Sequence, residues 1–223
     1  MFPSFKIFSF LFIIAMLNGP IRSNGQLAPI QNGAVDQIMA IELQIKMRSL
    51  WSEQVVNLRK VMLCIIDTLP GETQATTVLI QNLDQIGEAL LPYFGEENSE
   101  LLTELLYANS NFSIEVFRAA RIDSVIEKAA LVRWTENANR FSLNLKKVFV
   151  KYASNDLQSI FTDNLNLTFE QLQKHVIGDF DGDQLAYQLA KSNSFRYADL
   201  LSKRIIEKFP ERFYEAKNKM VSN

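Results

Sequence analysis

The chain has 223 residues, 48% of them hydrophobic, with 25 acidic and 23 basic side chains. That hydrophobic fraction is too high for a disordered chain and supplies enough material for one domain with a real core. The near-balanced, slightly acidic charge excludes the basic footprint that a nucleic-acid partner requires.

Lys6 is the only charge ahead of an apolar run from Ile7 to Leu17, and Ser23 and Gly25 occupy the −3 and −1 positions of a cleavage site before Gln26. The run is about a dozen residues, short of the ~20 that a helix needs to cross a bilayer. Residues 1–25 therefore read as a cleavable signal peptide, with an uncleaved anchor as the alternative, and the destination reads as extracellular. The leader holds Lys6 and Arg22 and no acid. The mature chain keeps 21 of the 23 basic residues against all 25 acidic ones, a net charge of −4, with no membrane association expected after cleavage.

Cys64 is the only cysteine, so no disulfide forms within the monomer. A secreted domain without disulfides has to be held by its core. In the run Val61-Met62-Leu63-Cys64-Ile65-Ile66, Cys64 reads as a small buried apolar residue, with intermolecular pairing as the alternative. Two glycosylation sequons begin at Asn111 and Asn166. Both fall inside predicted helices, where acceptance is less favourable than in a loop.

Residues 26–40 read as a lead-in, 41–213 as a single helical domain and 214–223 as a tail. Helical periodicity starts near Val35 and continues through Leu43, Met47, Trp51, Leu58 and Ile65 to Leu69, where Pro70-Gly71 ends it. A short helix is predicted over 73–82. A second, capped by Asn82 or Asp84, carries Ile86, Leu90 and Leu91 and stops near Pro92 and Gly95. The next helix runs from about Asn98 to Arg121 with Leu101 on its apolar face. Another starts near Asp123 and carries Val125, Ile126, Trp134, Phe141 and Phe149. A fifth spans about Asn155 to Ile177, and the last runs from about Gln184 to Phe209, before Pro210. No segment alternates in the way a strand requires. Long helices with short connections predict an all-α, antiparallel up-and-down bundle of about six helices.

An internal echo predicts two related halves. Leu50-Trp51 parallels Arg133-Trp134, Asn109-x-Asn111-x-Ser113 parallels Asn164-x-Asn166-x-Thr168, and the segment from Asn137 to Ser142 parallels that from Tyr197 to Ser202. Several echoing positions are polar residues on apolar faces: Gln54 and Arg59 on the first helix, then Asn109, Asn137, Asn164 and Asp199, with Asp84 at the predicted cap. Buried polar groups must find partners, so these seven residues are expected to form a polar core network that fixes register or, in the sharper reading, a ligand pocket between facing helices.

Asp179, Asp181 and Asp183 alternate as in a calcium loop, but Gln184 and Ala190 stand where that loop needs glycine and glutamate. A turn with an acidic cap on the last helix is the better reading. The one histidine, His175, is too little for a histidine-cluster zinc site. Neither a phosphate loop nor a nucleophile elbow is present in the sequence. The phenylalanines read as core rather than as a lipid cavity.

Trp51 with Val55 and Arg59, Asn82-Leu83-Asp84-Gln85-Ile86-Gly87, Tyr93 and Gly95 form one set of short motifs. Arg133-Trp134 with Asn137-Ala138, Leu165 with Thr168, Ala198-Asp199 with Leu201-Ser202, and Phe209-Pro210 form another. Over about Leu50 to Phe213 they give a pattern that resembles a family of uncharacterised all-helical proteins common in bacteria. The resemblance implies histidines where this chain has Gln54, Asn109 and Asn164, and acidic residues or histidines near Gln188 and Lys191. Such a set on facing helices would suit a metal. Here carboxamides and a lysine stand there instead, which implies a lost site. The resemblance brings no established activity.

The sequence thus predicts a secreted helical-bundle protein that binds or interacts without catalysis. No catalytic residue, metal or cofactor is assigned, and the partner is either a protein or a small apolar ligand. The alternatives are a metal-dependent enzyme scaffold with a degenerate site and a carrier of a small apolar ligand.

Overall fold

The computed structural model describes residues 33–149 and 155–214. The expected leader and cleavage site and the residues beyond Tyr214 lie outside that range. Among the described residues there are seven helices and no strand: α1 Gly33–Ile66, α2 Glu72–Phe94, α3 Glu96–Ala119, α4 Ser124–Phe149, α5 Asn155–Val176, α6 Phe180–Lys208 and α7 Glu211–Tyr214.

Helix α1 stops at Ile66, short of Leu69. Thr68 takes a left-handed backbone (φ 55°), and the N–H groups of Asp67 and Leu69 return to the carbonyls of Leu63 and Cys64, both at 3.0 Å. This arrangement satisfies the last orphan carbonyls of the helix. The expected break between residues 73–82 and a second helix is absent, because α2 runs through it. Asn82 is a capping residue type, but its side chain is spent on another helix. The amide lies 3% exposed and donates to the Leu50 carbonyl on α1 at 3.1 Å. Pro92 is accommodated in the last turn of α2, and Gly95 (φ 75°) ends the helix.

Helix α6 begins four residues before the expected Gln184. Asp179 caps it, accepting from the Gly182 N–H at 3.0 Å, so Asp181 and Asp183 lie in its first turn rather than in a loop. Asp123 accepts from the Val125 N–H at 2.6 Å in front of α4. The single turn α7 was not expected from the sequence. It buries Phe213, whose ring stacks on Tyr93 with centroids 5.8 Å apart.

From α1 to α6 each helix packs on its neighbour in the chain, α6 returns to pack on α1, and α1 also touches α3, α5 and α7. In two of these pairs, α1 with α6 and α3 with α4, residue numbers rise along one helix as they fall along the other. Asp199 meets Gln44 whereas Asp183 meets Arg59, and Asn137 meets Leu105 whereas Trp134 meets Asn109. The centre is aromatic. Trp51 lies edge-on to Tyr197 at 4.6 Å, and Phe141 stacks on Phe161 at 4.6 Å. Burying each such ring contributes roughly 1.5–3 kcal/mol. Leu69, Leu91, Leu101, Val125 and Ile126, expected on apolar faces, are instead exposed, because they fall at helix ends or on outer faces of the bundle.

One contact recurs three times. Asn82 donates to the Leu50 carbonyl at 3.1 Å, Asn137 to the Leu105 carbonyl at 2.9 Å, and Asn193 to the Ile160 carbonyl at 2.8 Å. Each amide clamps its helix to the one before it in the chain, and successive clamps fall 55 or 56 residues apart in the sequence.

Candidate functional site

The helices that supply the clamped carbonyls carry the same kinds of residue at the same register. Trp51, Leu106 and Phe161 follow the clamped carbonyls by one residue. Gln54, Asn109 and Asn164 follow them by four, one turn further along. All six line a single small cavity of about 30 Å³, together with Leu58, Trp134, Leu165 and Thr168. Three of the predicted polar residues, Gln54, Asn109 and Asn164, are therefore brought together.

Trp134 sets the chemistry of this cavity. Its indole Nε1–H, which can only donate, gives a hydrogen bond to Asn109 Oδ1 at 3.1 Å. That bond orients the carboxamide and leaves Asn109 Nδ2 as a donor without a protein partner, on a residue only 8% exposed. Trp51 Nε1, on a residue 2% exposed, is likewise unpartnered. Asn193 Nδ2 reaches Asn164 Oδ1 at 3.4 Å, which leaves the Asn164 amide hydrogens available. The Thr168 hydroxyl donates to the Asn164 carbonyl at 2.8 Å. A buried donor left unpaired costs roughly 1–3 kcal/mol. Donors that converge without a counter-charge suit one neutral oxygen acceptor, and a polar cavity of this size has room for about one or two waters.

The other four predicted residues lie elsewhere, so the expected single network divides. Asn137 is one of the three clamps. Asp84 is exposed on α2 and accepts from the Tyr107 hydroxyl on α3. That hydrogen bond to a carboxylate, with some burial, pushes the Tyr107 phenol up to about 12. Asp199 is half-buried between Gln44 (2.8 Å) and Arg48, whose Nε and Nη2 both approach to 2.6 Å. The Arg48 guanidinium holds its carboxyl below the usual range.

Arg59 belongs to a second cluster that the sequence reading missed. It forks onto Asp183, with Nη2 at 2.8 Å from Oδ2, reaches Gln171 Oε1 at 3.1 Å, and lies 4.7 Å above the Tyr187 ring. Asp183 is 2% exposed. Its Oδ2 also meets His175 Nδ1 at 2.9 Å, and His175 Nε2 meets Asp67 at 3.0 Å. Burial works against a charge on His175, but the hydrogen bonds to Asp183 and Asp67 outweigh it and hold the imidazole above its ordinary value. Burial likewise opposes ionisation of Asp183, and Arg59 and His175 overcome it, so its carboxyl lies below the usual range. A histidine with both nitrogens bound to carboxylates is an imidazolium clamp and has no free nitrogen to act as a general base.

Asp183 was legible as a polar residue on the stripe Ala186, Ala190, Asn193 and Tyr197, all buried. The calcium pattern drew attention away from it. Cys64 is half-buried rather than buried. Asn111 and Asn166 are both exposed, whereas Ser113 and Thr168 of their sequons are buried. Among the described residues no group of three or more His, Cys, Asp or Glu side chains is arranged to hold a metal ion. No helix there is long and apolar enough to cross a membrane. Comparison with family models, curated proteins and solved structures finds no match.

Proposed function

We propose that this chain is a secreted, non-catalytic binding protein whose interior polar site is structural and whose partners are met at the surface. The observation that carries this reading is the lining of the axial cavity. About 30 Å³ edged by amide and indole N–H groups accommodates an acceptor oxygen but neither a substrate nor a nucleophile–base pair. The locked state of His175 supports the same reading.

The fold belongs to this proposal in its finer form. The opposed senses of the helix contacts support an antiparallel up-and-down bundle. The three asparagine clamps favour three related hairpins over the two related halves expected from the sequence. Secretion rests on the leader pattern, and glycans at Asn111 and Asn166 are favoured by the exposure of both side chains. Kinship with the uncharacterised bacterial helical family rests on the motifs around Trp51, Asn82 and Trp134.

The metal-dependent reading has one observation in its favour, the convergence of Gln54, Asn109 and Asn164 on one point. The residues present do not fit a transition metal, since neutral carboxamides are poor ligands beside imidazole or thiolate. A carrier of an apolar ligand needs far more room than this cavity offers. Turnover of ester, phosphoester and glycoside chromogenic substrates by the purified mature chain tests the reading. No rate above background is expected, and any rate abolished by Gln54→Ala or Asn164→Ala would overturn it.

A further inference from the structure

The charge of this protein is unevenly placed. From Glu72 to Ala119, the span of α2 and α3, there are eight acidic residues and one base, Arg118. Arg118 is committed to Glu72 at 2.6 Å, and Glu115 to Arg133 at 2.6 Å. The other six, Asp84, Glu88, Glu96, Glu97, Glu100 and Glu104, are all exposed. None takes part in an ion pair among the described residues.

Five of these six edge a groove of about 900 Å³ between α2 and α3. Glu97 faces the adjoining outer surface of α3 with Leu101. At the floor the two helices approach closely: a methyl group on Gly87 would overlap Thr103 Oγ1. An independent feature marks the groove as more than a solvated acidic face. Ser99 lines it and is 4% exposed, yet its hydroxyl has no hydrogen-bond partner. A buried hydroxyl is ordinarily bonded, and this one, on a residue that lines the groove, is left without a partner.

We propose that the α2–α3 groove docks a lysine- or arginine-rich segment of a partner protein. This proposal rests on the surface-binding reading above and names its partner class. Glu96, Glu100 and Glu104 repeat every four residues, about 6 Å along the helix axis. Basic residues four apart on a partner helix, or alternate residues of an extended strand, repeat at nearly the same interval. Leu91, exposed within the groove, offers apolar surface to the aliphatic stems of such side chains. Among the described residues no group of three or more acidic, histidine or cysteine side chains is arranged to hold a metal ion, and calcium is therefore kept as an outcome of the test. An anionic lipid surface or a nucleic acid would be repelled.

The test uses the full chain and a fluorescein-labelled octalysine peptide, followed by anisotropy at low salt. Glu96→Gln/Glu100→Gln/Glu104→Gln removes three groove charges. Glu42→Gln/Glu136→Gln/Glu170→Gln removes three exposed charges on α1, α4 and α5. The groove variant is expected to bind about tenfold more weakly and the control to change less than about threefold, because a focused field depends on where its charges sit. Amide shifts on α2 and α3 should follow the same titration. Equal weakening in both variants would reduce the binding to net charge and overturn the proposal. No binding by the wild type, or displacement by millimolar calcium at constant ionic strength, would also overturn it. None of these outcomes alters the turnover assay, so failure here is separable from failure of the non-catalytic reading.

Discussion

Trp51 and Trp134 approach the same cavity, and their indole N–H groups meet different fates. Trp134 donates to Asn109 and fixes that amide, whereas the Trp51 donor is buried without a protein partner on a residue that lines the cavity. Both tryptophans stood out in the sequence, and so did Gln54, Asn109 and Asn164, because each interrupts an apolar face. Their convergence was legible only in part, since periodicity shows which way a side chain points and not which one it meets. Arg59 illustrates the limit: its partner Asp183 lies 124 residues away. The cluster around Asp183 has a definite pH signature. His175 is held above 6.5, so the stability it contributes is complete below about pH 6.5 and is lost as pH rises through the raised folded-state value. Asp183 is held below 3.8, so its contribution is present above about pH 4 and is lost as pH falls through the lowered value. His175→Asn should therefore cost roughly 1–3 kcal/mol at pH 6 and measurably less at pH 9 by chemical denaturation. An equal loss at both pH values would show that the imidazolium is not what the clamp uses.

Among the elements, the three asparagine clamps explain why helix existence was easier to read than helix extent. Asn82 has the composition of a cap, and only its tertiary hydrogen bond to Leu50 reveals why α2 continues through it. Truncating Asn82, Asn137 or Asn193 to alanine leaves a buried carbonyl without that bond. Each change should cost roughly 1–3 kcal/mol in denaturant midpoints, with a similar value at all three positions. One site losing nothing would break the equivalence of the hairpins. The end of α1 carries a local strain that can be relieved. Thr68 is a β-branched residue at φ 55°, where Gly178 stands in the corresponding turn after α5. Thr68→Gly should raise stability by about 1 kcal/mol, and a loss would mean that the Thr68 side chain makes a contribution larger than the strain. Gly87 reports how closely α2 and α3 approach. Gly87→Ala gains helix propensity of about 1 kcal/mol but meets Thr103 Oγ1, whose hydroxyl is bonded to the Ser99 carbonyl at 2.7 Å. Net destabilisation of about 1–3 kcal/mol is expected, largely recovered when Thr103→Ala is added.

At the scale of the whole molecule, the all-helical class followed from periodicity. Pairing Trp51 with Trp134 suggested two halves, and under the proposed three hairpins these tryptophans, on α1 and α4, fall on the first helix of one and the second of another. The echo of Asn109 to Ser113 by Asn164 to Thr168 has a 55-residue spacing, close to the 55 and 56 residues that separate the clamps. Large side chains are conspicuous, but their register within a helix pair is set by packing and is not encoded in their size. Destination is open to direct measurement. Intact-mass analysis of chain secreted by eukaryotic cells should place Gln26 at the N-terminus and show two glycans removable by N-glycosidase, and retention of residues 1–25 would contradict the leader reading. The central claim concerns the axial cavity, which is assigned to a bound acceptor oxygen and not to a substrate. Water-selective nuclear Overhauser spectroscopy on indole-labelled protein addresses it, because the two tryptophans give one N–H signal each. The account predicts a cross-peak from a long-lived water to the Trp51 indole proton. A Trp51 proton that shows no bound water and exchanges as freely as an exposed indole would mean the cavity is open to solvent and to substrates, and would contradict the account.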